Sequence, residues 1–219
     1  MSIHRFLKHL ALISHPDAQD SSFNDFAGNV LGVTDFQCEI GIVHVSQYGL
    51  PLTICGKNNR KAIPDICLMS YQPVPMILLV VQRDKPVFGS RGPEPPVIAG
   101  AVAAFQYNNR SRAKIGLPTL DTTTIPCITV EGTRSLFYKV PVTQHLSDCV
   151  ATGQFPTQQT VVTRCGPPTS PEAHEGMESP DYRRIALITM RHSVIWPKIV
   201  GLLSLVAVKG SDLVCQCQL

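Results

Sequence analysis

The sequence predicts an α/β protein, with a mixed central sheet of about five strands flanked by helices. Three observations carry this. Asp65-Ile66-Cys67-Leu68-Met69 and the unbroken apolar run Met76 to Val81 are separated by Ser70 to Pro75, whose two prolines belong in a turn and not inside a central strand. Val97 to Gln106 repeats apolar residues at helical spacing and supplies Ala99, Gly100 and Ala103, small enough to lie close to a sheet. Ile125 to Val130 and Leu136 to Val140 then form two more strands around the tight turn Glu131-Gly132-Thr133-Arg134.

At the N-terminus, Ile3, Phe6, Leu7, Leu10 and Ile13 recur at helical spacing with Arg5, Lys8 and His9 between them, and no acid precedes Asp17. The pattern suits a surface helix or an amphipathic mitochondrial import segment, since transit peptides are basic and poor in acids. The run Leu10 to Ile13 is too short for a secretory signal. Ser14 to Phe26 reads as a loop leading into a short helix that carries Val30 and Leu31 and closes at Gly32. Ile40 to Val45 and Leu50 to Cys55 read as a strand pair joined near Gly49, followed by the basic polar turn Lys57 to Lys61.

The buried strand Met76 to Val81 ends in Gln82-Arg83-Asp84-Lys85. If it forms a hairpin with the strand that opens at Asp65, a carboxylate and an ammonium meet at the rim of the sheet. Side chains of a strand alternate, which groups Arg83 with Lys85 and Gln82 with Asp84. Pro86 to Pro96 is a proline-rich loop flanking that rim. Beyond the predicted helix, Asn108, Asn109, Arg110, Arg112 and Lys114 make the densest basic cluster of the chain. Such a cluster suits either nucleic-acid phosphates or the negative end of the helix dipole.

Thr143 to Val150 reads as a helix facing the core with Leu146 and Val150. Cys165 to Pro180 reads as an exposed linker whose Glu172, His174, Glu175 and Glu178 match no compact metal motif. Tyr182 to Trp196 is an amphipathic helix, and Ile199 to Val208 is an apolar segment about half the length needed to span a bilayer. The segment therefore suits burial or a protein partner, with no membrane role expected. The resulting organisation is an N-terminal helical segment (1–36), a core (37–164), a linker (165–181) and a helical, apolar tail (182–219).

The chain has 219 residues, 44% of them hydrophobic and 16% charged, which is the balance of a globular protein. A formal charge of +3 permits a nucleic-acid partner without requiring one. The eight cysteines mostly stand singly, several within strand patterns, and suit reduced buried thiols in an intracellular compartment, cytoplasmic or nuclear. Cys215 and Cys217, with no second ligand pair, make a poor zinc site. No glycine-rich phosphate loop, nucleophile elbow or zinc-protease helix is present.

Pro64-Asp65, the hydrophobic strand after it and Lys85 resemble the PD-(D/E)XK, or restriction-endonuclease-like, nuclease core. More narrowly, Ile54-Cys55-Gly56, Ala103 to Arg110, Gly132-Thr133, Phe137-Tyr138-Lys139 and Gly176-Met177 resemble a fungal group built on that core, over roughly Pro51 to Arg184. The resemblance implies a restriction-endonuclease-like sheet and a divalent-metal phosphodiesterase site. In such a site Asp65 and a carboxylate two residues before Lys85 hold Mg2+, while Lys85 activates water. That second position is Arg83 here, which disfavours a cation. Three readings follow. The first is a degenerate, catalytically impaired nuclease-like module that binds DNA or RNA through Arg83, Arg110, Arg112 and Lys114. The second is an active Mg2+-dependent nuclease in which a bulge turns Asp84 toward Asp65, or Glu39 supplies the second ligand. The third is a protein-interaction module without nucleic acid.

Overall fold

The computed structural model describes residues 3–15, 17–34, 41–71, 73–83, 92–167 and 176–190. The chain begins with α1 (Ile3–Ile13) and α2 (Asp20–Val33), followed by β1 (Ile42–Ser46), β2 (Leu50–Ile54), β3 (Lys57–Ala62), β4 (Ile66–Ser70) and β5 (Met76–Arg83). Then come α3 (Glu94–Lys114), β6 (Thr122–Glu131), β7 (Arg134–Thr143), α4 (Gln144–Thr152) and β8 (Thr163–Cys165). A last helix, α5, occupies 180–190.

Six strands form the main sheet in the order β1-β4-β5-β6-β7-β8, and β2 with β3 forms a separate ribbon. The β4–β5 hairpin foreseen around the Pro73 and Pro75 turn is present and antiparallel. β5 and β6 are parallel, so the chain crosses between them through α3. All other neighbours are antiparallel, which makes the sheet mixed. The expected class is right, with one strand more than predicted.

Alternation divides the core into two. Ile66, Leu68, Leu79, Val81, Ile128, Val130 and Phe137 face α1, α2 and α5. Phe6 and Phe26 of the first two helices stack there with ring centroids 5.7 Å apart, and Met177, Tyr182, Ala186 and Met190 close the same cluster. The N-terminal helical segment and the 177–190 region are thus parts of one core with the sheet. Cys67, Met69, Ile77, Val80, Cys127, Tyr138 and Val140 face the other way, toward α3 and the β2–β3 ribbon.

α3 is buried on nearly every side between Gly100 and Arg112, because the sheet lies on one flank and the ribbon with α4 on the other. This accounts for Gly100, Ala101, Ala103 and Ala104: a Cβ at Gly100 would stand 3.1 Å from Val80 Cγ1. The helix begins at Glu94, inside the predicted loop, because prolines in a first turn lose no backbone bond there.

Other expectations are corrected. α2 starts at Asp20, inside the predicted loop, and runs through Gly32 to a terminus where Thr34 Oγ1 donates to the carbonyls of Val30 and Leu31. β1 pairs with β4 and not with β2. The predicted turn at Lys57 to Lys61 is strand β3, and the true turn is Cys55-Gly56, both with positive φ as a two-residue type I′ hairpin requires. The C-terminal end of the predicted linker is packed, with Met177 fully buried. Among the described residues no helix is long and apolar enough to cross a membrane. Ile199 to Val208, Cys215 and Cys217 lie outside the described residues.

Candidate functional site

Ligand sites of α/β sheets gather at the carboxyl ends of parallel strands, where the crossover helix begins. Here that place is the end of β5 and β6 beneath the start of α3. The β4–β5 ladder pairs Ile66 with Val81, so Asp65 and Gln82 face each other on the next rung. Gln82 Nε2 donates to Asp65 Oδ2 at 2.8 Å. On the other flank Gln82 lies in register with Thr129 of β6, which is buried. Residues opposite one another share a face, so Asp65, Gln82 and Thr129 form a polar row on the α3 side of the sheet.

The row continues to Tyr138 on β7 and Arg164 on β8, which are paired in register. Tyr138 Oη is buried and makes no hydrogen bond among the described residues. Burial pushes the phenol's pKa up, Thr129 and Arg164 pull it down, and Glu94 pushes it up again. Arg164 pairs with Glu94 in the first turn of α3 at 3.0 Å, and the carboxylate also suits the positive end of that helix.

The sequence expectation set Asp65 beside Arg83 and Lys85, and the described residues add Gln82 to its neighbours. The side chain of Gln82 meets Asp65, because the register that pairs Ile66 with Val81 brings 65 opposite 82. The backbone of Arg83 ends β5 opposite Val130. The side chain of Arg83, and Glu39, Asp84 and Lys85 altogether, lie outside the described residues, as do Glu172, His174 and Glu175. Glu178 accepts from Thr133 Oγ1 at 2.6 Å.

The basic cluster is rebuilt by its hydrogen bonds. Thr53 N–H donates to Gln106 Oε1 at 2.9 Å while Gln106 Nε2 donates to Thr53 O at 3.2 Å. Asn108 clasps Ile77 in the same two-bond way, and Asn109 clasps Leu120. Arg112 is buried, with Nε donating to Pro118 O at 2.8 Å, and Arg110 donates to Pro51 O. Gln106-Tyr107-Asn108-Asn109 is therefore a structural clamp joining α3 to the ribbon, the sheet and the α3–β6 connection. Of the predicted phosphate contacts in the cluster, Arg110 and Lys114 are exposed. A cleft of about 340 Å³ lies between α3, β2 and α4, lined by Thr53, Gln106, Asn109, Arg110, Gln144 and Asp148 among others, several of them already engaged in these bonds.

Sequence reasoning missed Thr129, Tyr138, Glu94 and Arg164. The signal was available for Thr129 alone, a polar residue inside a β-branched run; the others depend on which strands become neighbours. Among the described residues no three His, Cys, Asp or Glu side chains come together to hold a metal. Among the described residues Asp65 brings one carboxylate, which accepts an amide N–H, whereas Mg2+ takes oxygen ligands with one or two carboxylates. Fold and site together define a mixed α/β protein with a polar row at the carboxyl ends of its parallel strand pair. No protein-family model matches the chain, and no curated protein does.

Proposed function

We propose that this chain is a degenerate PD-(D/E)XK nuclease-like protein, impaired in metal-dependent cleavage and serving as a nucleic-acid-binding or accessory module. The observation that carries the reading is the Asp65–Gln82 hydrogen bond: the side chain across the ladder from Asp65 is a neutral amide. Support also comes from the order of elements, a β4–β5 hairpin followed by a crossover helix and a parallel strand, with Asp65 at the start of one strand and the motif-like segment at the end of the next.

One observation favours the active alternative. Asp65 lies on the side of Gln82, and the sequence alternation groups Asp84 with Gln82, which would supply a second carboxylate without a bulge. Alternation sets Lys85 on the opposite face with Arg83, so it would serve the reaction with Asp65 only through a bulge after Asp84, and Mg2+ would be required.

The test is Mn2+ titration by calorimetry on wild type, Gln82→Glu and Arg83→Glu, with cleavage of single- and double-stranded DNA and RNA followed in parallel. The degenerate reading expects no heat and no cleavage from wild type, and metal binding gained on adding a carboxylate. Wild-type cleavage that vanishes with chelator or with Asp65→Ala would establish the active enzyme instead.

A further inference from the structure

The ribbon carries a second feature, separate from the polar row. Among the described residues β3 hydrogen-bonds to β2 alone, and its other edge has no strand partner. Every residue from Lys57 to Lys61 is exposed, although a strand packed on a core normally buries alternate residues. Three of those five are cations, Lys57, Arg60 and Lys61, with no acid among them. Among the described residues the salt bridges are His15–Asp17 and Glu94–Arg164, and no side-chain hydrogen bond engages these three cations. Charged edge residues also oppose pairing with another strand, which argues against a peptide adding to this edge.

Beside the ribbon's turn stands an aromatic ring. Cys55 and Gly56 donate their N–H groups to Val150 and Ala151 at the end of α4, and a Cβ on Gly153 would meet Cys55 Cα at 3.3 Å. Two residues beyond Gly153 comes Phe155, 97% exposed, whereas Phe6, Phe26, Phe105 and Phe137 are at most 5% exposed. The exposed ring thus lies two residues along the chain from the contact between Gly153 and the turn that opens the cationic strand.

We propose that β3 and Phe155 form a binding surface for single-stranded nucleic acid, with Lys57, Arg60 and Lys61 on phosphates and Phe155 stacked on a base. Lys57 stands opposite Ile54 and Arg60 opposite Leu52, so these two cations share one face of the ribbon about 7 Å apart, while Lys61, opposite Pro51, lies on the other face beside Arg60. A base must be unstacked to present its face to a phenyl ring, so the ring selects single strands over duplex. The surface deepens the nucleic-acid-binding reading above, yet it uses none of the residues of the polar row.

The experiment is fluorescence anisotropy with labelled 12-mers of oligo(dT) and oligo(rU), and a duplex of equal length, at several salt concentrations. The proteins are the full chain, the triple variant Lys57→Glu/Arg60→Glu/Lys61→Glu, Phe155→Ala, and Lys8→Glu on α1 as a control for charge reversal elsewhere on the surface. All the altered side chains are exposed, and circular dichroism confirms the fold. Expected are single-strand binding with a log–log salt slope of about −2 from three phosphate contacts, and a loss of about five- to hundredfold in Phe155→Ala. The triple variant should lose both affinity and salt slope, and Lys8→Glu neither. Wild-type binding that survives both the triple variant and Phe155→Ala overturns the surface alone. Absence of any wild-type binding overturns the nucleic-acid reading as well, and duplex bound as tightly as single strand with Phe155→Ala silent overturns the stacking assignment.

Discussion

Asn108 of α3 holds the backbone of Ile77 in β5 as a second peptide group would. The Ile77 N–H donates to Asn108 Oδ1 at 2.7 Å, and Asn108 Nδ2 donates to the Ile77 carbonyl at 2.9 Å, with both residues buried. β4 and β5 shift register between Leu68 and Met69, opposite this point, and a shift of that kind disturbs the ladder bonds around it. Asn108→Leu keeps the branched outline of the side chain while leaving a buried donor and acceptor unpaired. It should cost about 2 kcal/mol or more, seen as a lower urea midpoint at unchanged slope. A variant as stable as wild type would mean that the clasp is replaceable by apolar packing.

A parallel tie binds α5 to the sheet. Tyr182 Oη accepts the Ser135 N–H at 2.9 Å, and Ser135 is fully buried in β7. Tyr182→Phe removes only the oxygen and should destabilise the fold by about 1 to 2 kcal/mol. Hydrogen exchange at the Ser135 amide should accelerate accordingly, and unchanged exchange would deny α5 this role.

Gln82→Glu would set two carboxylates against each other at the Asp65 position. Their repulsion raises one folded-state pKa above its unfolded value. The variant should therefore match wild type below about pH 4, where both acids are protonated in the unfolded chain too, and lose stability as pH rises through the raised value. A deficit of about 1 kcal/mol at neutral pH is expected, reduced by added Mn2+ if the pair can hold a cation. Thermal melts at acid and neutral pH with and without Mn2+ make the measurement. A pH-independent deficit would point to packing and not to charge.

The cysteines should separate by reactivity. Burial pushes the Cys67 thiol from 9.0 to about 12 and raises that of Cys127 further, while Cys55 is exposed and contradicts the expectation of buried thiols at that position. Alkylation of the native protein near pH 8 should modify Cys55 ahead of Cys67 and Cys127 and leave those two intact, as read by peptide mass mapping. Between pH 9 and 12 the unfolded chain releases protons that folded Cys67 retains, so stability is intact below about pH 9 and falls as pH rises through that window. Early labelling of Cys67 would mean that the α3 face of the sheet opens readily.

Much of the architecture was legible because local signals and tertiary packing agree. The prolines at 73 and 75, the apolar run that follows, and the Gly132 turn with φ of +58° each specify one local geometry whatever surrounds them. Disagreement arose where the signal lay in an unusual residue or in a partner far away. Cys55 adopts a positive φ that asparagine or glycine would have announced, so the turn was displaced onto the polar residues of β3. Asn108, Asn109 and Arg112 read as surface polar groups because amide and guanidinium side chains are mostly exposed, and only the ribbon packed on the far side of α3 gives them buried backbone to bond.

By itself the sequence determined the class of fold, the β4–β5 hairpin and the helix α3 lying against the sheet, since periodicity and turn chemistry suffice for these. Only the tertiary structure decided that β1 joins β4, that β2 and β3 stand apart as a ribbon, and that Asp65 meets Gln82. Strand neighbours and ladder register depend on burial summed over the whole core, and a shift of one residue exchanges the faces of every side chain on a strand. The residue facing Asp65 is therefore a property of the assembled sheet.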